Sequence, residues 1–358
     1  MPAGRYAPSP SGTLHLGNLR TAIVAWLFAR HSGRDFLLRL EDLDRVRAGA
    51  EAEQLADLAA IGITWDAAPV RQSERLHLYE DALTALGGLD SAAEDGLIYE
   101  CFCSRKDIAE ATSAPHHAPT ASPQQGSTLV PPGSYPGTCR NLSGAERERR
   151  RAARPAALRI NAARAAGLPE GQAPVHRVTD RLSGTVRAGV DDFVLRRNDG
   201  AYAYNLAVVV DDLAQGVDQV VRGDDLLSST PRQDWLARLL CDRTGRQPPQ
   251  TEYAHVPLVL NAAGQRLAKR DGAVTLADLA AAAGPSSGPV DHAGVPRGGW
   301  TPERVRDLLL DSLGLPAGSL DGALEHFAPD AVPESPWTPP QTVIGPAETP
   351  EEKIRFHR

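Results

Sequence analysis

The sequence predicts an α/β fold: a parallel sheet covered by helices, interrupted near residue 100 by a block of different character and closed by a short helical part. Three features predict it. Between residues 1 and 90 the apolar positions switch between a spacing of two and a spacing of three to four. A strand-like start runs through a proline- and glycine-rich turn directly into a helix, and short alternating runs return between 175 and 223.

The first unit is Arg5-Tyr6-Ala7-Pro8-Ser9-Pro10-Ser11-Gly12-Thr13-Leu14-His15-Leu16-Gly17-Asn18-Leu19-Arg20. An extended run breaks at Pro8, Pro10 and Gly12, and an apolar-periodic helix follows through Ala22, Ile23, Trp26, Leu27 and Ala29 to Gly33. Unpaired N–H groups at such a helix start form a site for phosphate, with Gly12 and Gly17 clearing space for a ligand and His15 adding a donor. An ordinary strand-to-helix turn with a surface histidine is the simpler alternative. Residues 36 to 41 alternate as a strand, placing Glu41 and Asp42 at a carboxyl edge, where open α/β sheets bind ligands. A helix is expected over 51–61 through Leu55, Leu58, Ala59 and Ile61, and another from Ser73 as N-cap to Gly87.

At Tyr99-Glu100-Cys101-Phe102-Cys103 the character changes, and residues 111–134 have the composition of a disordered loop. Order is expected to resume at Gly133-Ser-Tyr135-Pro-Gly-Thr-Cys139-Arg140. Arg147, Arg149, Arg150, Arg151 and Arg154 fall within eight residues, a solvated helix face or a phosphate-facing patch. The apolar run Ala203–Val210 ending in Asp211-Asp212 reads as a return to the central sheet. Ser229-Thr230-Pro231 opens a helix to about Cys241, and another runs from Thr301-Pro302 to Gly314. Seven prolines among the last thirty residues argue against a packed element after Ala328.

The chain of 358 residues carries a net charge of -7 and is 42% hydrophobic, which excludes a disordered chain and a generally basic nucleic-acid binder. No apolar run approaches the ~18 residues of a membrane span, and no apolar leader precedes Arg5, so a cytoplasmic protein is expected. Four cysteines are too few for a disulfide framework here. Cys241, in an apolar run, reads as a core thiol.

His15-Leu16-Gly17-Asn18 resembles the "HIGH" signature of class I aminoacyl-tRNA synthetases, and Arg5, Pro8–Gly12 and Leu40-Glu41-Asp42 are similar to the glutamyl branch. Gln265-Arg266-Leu267-Ala268-Lys269 resembles the second signature, "KMSKS", with Arg266 for its first lysine and Ala268 for its serine. The similarity runs from about Arg5 to Leu276 and is greatest to the short glutamyl-queuosine tRNA(Asp) synthetases, which lack the anticodon-binding region of full-length glutamyl enzymes.

The resemblance implies a Rossmann-like class I synthetase catalytic domain with an inserted zinc-containing α+β subdomain. Its halves would be 1–100 and 200–260, the insertion 101–199, then the KMSKS-like loop and helical region 261–328 and a tail 329–358. It implies catalytic roles for His15, Gly17 and Lys269, with Pro8, Ser9, Gly12, Asn18 and Arg266 joining them around ATP. Arg5, Ser9, Glu41, Tyr204 and Arg222 would bind glutamate, each being otherwise a candidate for a structural ion pair. His15 and Lys269 are expected to converge over the triphosphate beside a pocket lined by Arg5 and Arg222.

By spacing, Cys101, Cys103 and Cys139 are as compatible with buried free thiols as with zinc, and His116 or His117 compete with Tyr135 as a fourth ligand. The resemblance favours zinc on Cys101, Cys103, Tyr135 and Cys139. The implied partners are L-glutamate, ATP with Mg2+, and the anticodon stem-loop of tRNA(Asp), and a monomer is expected. Three readings stay open: transfer of activated glutamate to the wobble queuosine of tRNA(Asp), transfer to a tRNA 3′ end or small amine, or a catalytically silent zinc and RNA-binding module.

Overall fold

The computed structural model describes residues 1–88, 96–104, 106–108, 134–261, 264, 265, 267, 274–281, 299–340 and 343. Most of the 111–134 insert, with His116 and His117, lies outside them, as do Arg266, Ala268 and Lys269. In chain order the elements are β1 (Ala3–Tyr6), α1 (Leu16–His31), β2 (Asp35–Leu40), α2 (Ala50–Ala60), β3 (Val70–Arg71), α3 (Leu76–Ala85) and β4 (Ile98–Cys101). There follow α4 (Gly144–Ala153), β5 (Ala157–Ile160), α5 (Ala162–Ala165), β6 (Val175–Asp180), β7 (Gly184–Gly189), β8 (Val194–Arg196), α6 (Tyr204–Gln215) and β9 (Val217–Gly223). The last are α7 (Thr230–Arg243), β10 (Glu252–Val256), α8 (Leu276–Ala281), α9 (Pro302–Asp311) and α10 (Leu320–Leu324).

The chain divides into two compact units: 1–69 with 219–225 and 253–358, and 70–218 with 226–252. In the first, strands lie in the order β2-β1-β9-β10, and β1 pairs parallel to β2 from Ala3↔Asp35 to Tyr6↔Leu38. Every residue of α1 from Ala22 to Ala29 is buried, so this helix is apolar all round and belongs to the core. Gly4 admits it: a Cβ there would stand 2.9 Å from that of Ala29 and 3.0 Å from Gln219 Oε1. Buried Arg20 ties α1 to the turn after α9, donating through Nε to Ser312 Oγ at 3.0 Å.

In the second unit β4, β5 and β8 form an antiparallel sheet, and β6 and β7 form a hairpin in register from Val175↔Gly189 to Asp180↔Gly184. The run 203–212, expected as a strand, is α6. Six successive residues, Leu206 to Asp211, are buried; a helix enclosed on all sides shows no amphipathic period and its three valines mimic a strand. Asp211 therefore does not stand at a sheet edge. It is fully buried and accepts from Gln72 Nε2 (2.9 Å), Arg75 Nε (2.6 Å) and Tyr79 OH (2.8 Å).

Two smaller expectations are also revised. Ser73 lies in a short 3-10 turn, and α3 starts after Arg75 without a side-chain cap. The buried stripe of α2 is Ala50, Gln54 and Leu58, leaving Ala59 exposed. The tail, expected to be unpacked, is held as far as residue 340: Leu260 N donates to Trp337 O at 2.8 Å, Trp337 N to Leu258 O at 3.2 Å, and Val332 is buried. Prolines leave that backbone few donors, but those it keeps suffice for one bridge. The arginine-rich run forms α4, capped by Ser143 and Glu146, with no buried residue. No helix among the described residues is long and apolar enough to cross a membrane.

Candidate active site

The turn between β1 and α1 is organised by His15. Its Nδ1 accepts from Gly17 N at 3.1 Å and Asn18 N at 3.3 Å, while Asn18 Oδ1 accepts from His15 N at 3.2 Å. This reciprocal cap consumes two of the N–H groups expected to await a phosphate. Leu16 N donates to Val274 O at 3.1 Å and Leu19 N to His15 O at 3.1 Å, so the first turn of α1 is satisfied from within the protein. With Nδ1 accepting, a neutral imidazole carries its proton on Nε2, which makes the ring edge rather than the helix N–H groups the natural donor to an anion. Gly17 is required by the ring itself: a Cβ would sit 3.0 Å from His15 Cε1 and 3.4 Å from Val259 Cβ.

The turn preceding His15 is held by its carbonyls. Pro8 O accepts from Glu41 N at 3.0 Å and Pro10 O from Arg47 N at 2.9 Å. Ser9 O and Gly12 O both accept from Gln54 Nε2, at 3.0 and 2.6 Å. Sequence reasoning missed Gln54, although a glutamine on the buried side of a short helix was the available signal. Ser9 is exposed, Pro8 and Gly12 are buried, and Asn18 is half-buried.

Arg5 on β1 and Arg222 on the neighbouring β9 are buried. Arg5 Nη1 donates to Val221 O at 3.4 Å, and Arg222 Nε donates to His255 Nε2 at 3.1 Å. The structure thus brings these two expected glutamate ligands onto adjoining strands. Glu41 lies 3.5 Å from the fully buried Arg39, and its charge together with burial raises the Tyr6 phenol above its ordinary range, burial being the larger cause. Tyr204 opens α6 in the second unit, two-fifths exposed. Within the KMSKS-like stretch Leu267 N donates to Val259 O at 3.1 Å, and after it Thr275 forms a bridge with His15.

In the second unit the ligand atoms of Cys101, Cys103 and Cys139 lie within 4.8 Å of one another. Cys103 Sγ is 3.5 Å from both Cys139 Sγ and the Tyr135 hydroxyl, and that hydroxyl accepts from Cys139 N at 2.8 Å. A tetrahedral zinc with ~2.3 Å bonds needs sulfurs about 3.8 Å apart, so three thiols and a phenol at this spacing fit such an ion. The bond with Cys139, with burial, pushes the Cys101 thiol up to about 12, and the same bond draws Cys139 down to about 6. Arg150 Nη1 stands 3.8 Å from Cys139 Sγ, and the Arg159 guanidinium lies 3.8 Å over the Tyr135 ring. Cys241 is buried apart from this cluster, on α7.

Residues 3–312 match the family described as tRNA synthetases class I (E and Q), catalytic domain. A glutamyl-Q tRNA(Asp) synthetase of Nocardia farcinica is 55% identical, covering 94% of this chain and 92% of that protein. One from Cutibacterium acnes is 46% identical over 88% of this chain and 76% of its own length. Among solved structures, a glutamate tRNA ligase of Elizabethkingia meningosepticum, in complex with its amino acid, matches with TM-score 0.66 at 26% identity, covering 95% of this chain and 67% of that one. The cap at His15, the α/β core behind it and these matches agree: the chain belongs to the class I tRNA synthetases (E and Q), among the ligases of the glutamyl-Q tRNA(Asp) synthetase branch.

Proposed function

We propose that this protein activates L-glutamate with ATP, without tRNA, and transfers the glutamyl group to the queuosine base at the wobble position of tRNA(Asp). The observation that carries the reading is the 55% identity, over 94% of the chain, to a relative of that name. The amino-acid complex of the Elizabethkingia ligase supports glutamate as substrate.

In the first step a glutamate carboxylate oxygen bonds to the α-phosphorus of ATP and the bond to the leaving pyrophosphate breaks. No protein nucleophile is needed. The chain must align the two reactants and neutralise charge on the departing group. His15 meets that charge through Nε2–H, and Lys269, with Arg266, would do so from the second loop. Arg5 and Arg222 hold the side-chain carboxylate of glutamate, their fixed positive charge being suited to an acidic substrate. Ser9 and Glu41 receive the ammonium end. Mg2+, when bound with ATP, would shield the triphosphate. In the second step a queuosine nucleophile attacks the activated carbonyl carbon and AMP leaves.

Labelled glutamate is expected to appear on queuosine-containing tRNA(Asp) and not on the same tRNA lacking queuosine. Equal transfer to both, or transfer to the 3′ end, would replace this acceptor with another. Pyrophosphate exchange without tRNA that fails with glutamate would favour the catalytically silent module.

Zinc is proposed for Cys101, Cys103, Tyr135 and Cys139, where it would tie β4 to the segment that resumes at Tyr135. Metal analysis of purified protein is expected to find one zinc per chain, lost when Cys103→Ser and Cys139→Ser are combined. Zinc that survives both changes would move the site elsewhere.

A further inference from the structure

The turn Pro8–Gly12 contains two residues, Pro8 and Pro10, that have no N–H to offer. Donors within the turn are therefore few, and four of its carbonyls find one from outside: Pro8 from Glu41 N, Pro10 from Arg47 N, and Ser9 and Gly12 from the single amide of Gln54. Ser9 O also accepts from Ser11 N at 2.8 Å. Gln54 is the odd residue on its helix. It occupies the buried stripe of α2 between Ala50 and Leu58, is 1% exposed, and has an Oε1 that meets no hydrogen-bond donor. Burying an amide that way costs stability, which a leucine at the same position would not. The reverse orientation is closed to it, since Oε1 would then face two carbonyl oxygens.

We propose that Gln54 is a positioning residue for the nucleotide: by donating to Ser9 O and Gly12 O together it closes the turn across its span and keeps those carbonyl oxygens from facing the substrate triphosphate. A carbonyl oxygen turned toward a phosphate opposes binding, and one amide reaching two of them fixes both. The inference rests on the ATP-dependent reading above and goes beyond it by assigning the shape of the turn to a residue outside either signature.

The test compares wild type, Gln54→Leu and Gln54→Glu by calorimetric titration with ATP, by KM for ATP and for glutamate in pyrophosphate exchange, and by thermal melts. Leucine fills the stripe without donating. Glutamate keeps the shape but, ionised, can only accept. ATP affinity is expected to fall about tenfold in Gln54→Leu, the order of one to two lost hydrogen bonds, and further in Gln54→Glu, with KM for glutamate raised by a smaller factor because only Ser9 of the proposed glutamate contacts lies on this turn. Variants that bind ATP as wild type does, or whose KM for glutamate rises in step with that for ATP, overturn the inference alone. Wild type that binds no ATP overturns the ATP-dependent reading and this inference with it. Should Gln54→Leu fail to fold, Gln54→Met supplies an unbranched apolar side chain for the same comparison.

Discussion

His15→Asn is expected to lower glutamate-dependent pyrophosphate exchange by about 10²-fold or more while leaving the melting temperature close to that of wild type. This side chain has two separable tasks, one in the helix cap and one in the proposed mechanism. As a cap, His15 offers Nδ1 to Gly17 N and Asn18 N, and an asparagine oxygen is an equally good acceptor at such a position. As the proposed donor to the triphosphate, the imidazole offers Nε2–H, which a shorter side chain cannot place at the same point. His15→Ala removes both, and is expected to lose activity and also ~0.5–2 kcal/mol of stability, the usual loss for a missing cap. Thermal melts beside exchange kinetics distinguish the two variants. An active His15→Asn enzyme would show that the helix cap, and not the ring donor, is what catalysis needs.

Arg222→Ala is expected to abolish glutamate-dependent exchange, a loss on the order of 10³-fold or more given the strength of charge-assisted pairing out of water. Arg222 is buried on β9, and its Nε already donates to His255 Nε2. His255 is itself 1% exposed, and with Nε2 accepting from Arg222 a neutral ring carries its proton on Nδ1. Arg222→Lys is expected to rescue little, because an ammonium lacks both the Nε–H that meets His255 and the planar fork that meets a carboxylate. The readout is kcat/KM for glutamate, with circular dichroism confirming the fold. Unchanged kinetics in Arg222→Ala would return this arginine to a purely structural pairing with His255.

The parts legible in the sequence were those whose signal is local. The helix after Gly17, the alternation of Phe36, Leu38 and Leu40, and the proline-led start of α9 each declare themselves within a few residues. The cysteine cluster was readable as a possibility and became geometry only when the chain brought Cys139 back to Cys103. What could not be read depends on long reach or on burial all round. The three valines of α6 look alike in a strand and in an enclosed helix. Gln54 looks like a surface residue until Ser9 and Gly12 are placed against it, and the phosphate-binding reading of Gly17 could not anticipate that the space it clears is taken by His15.

The bridge formed by Trp337 gives the apparently dispensable end of the chain a lever on chemistry far from it in sequence. Trp337 grips Leu258 and Leu260; Val259 between them receives Leu267 and lies against Gly17, whose neighbour is the capping imidazole. Trimming the chain at Ala328 would therefore unclasp a three-residue splint whose other side props the signature turn. Wear on the proposed nucleotide site would then begin at a place no signature motif marks.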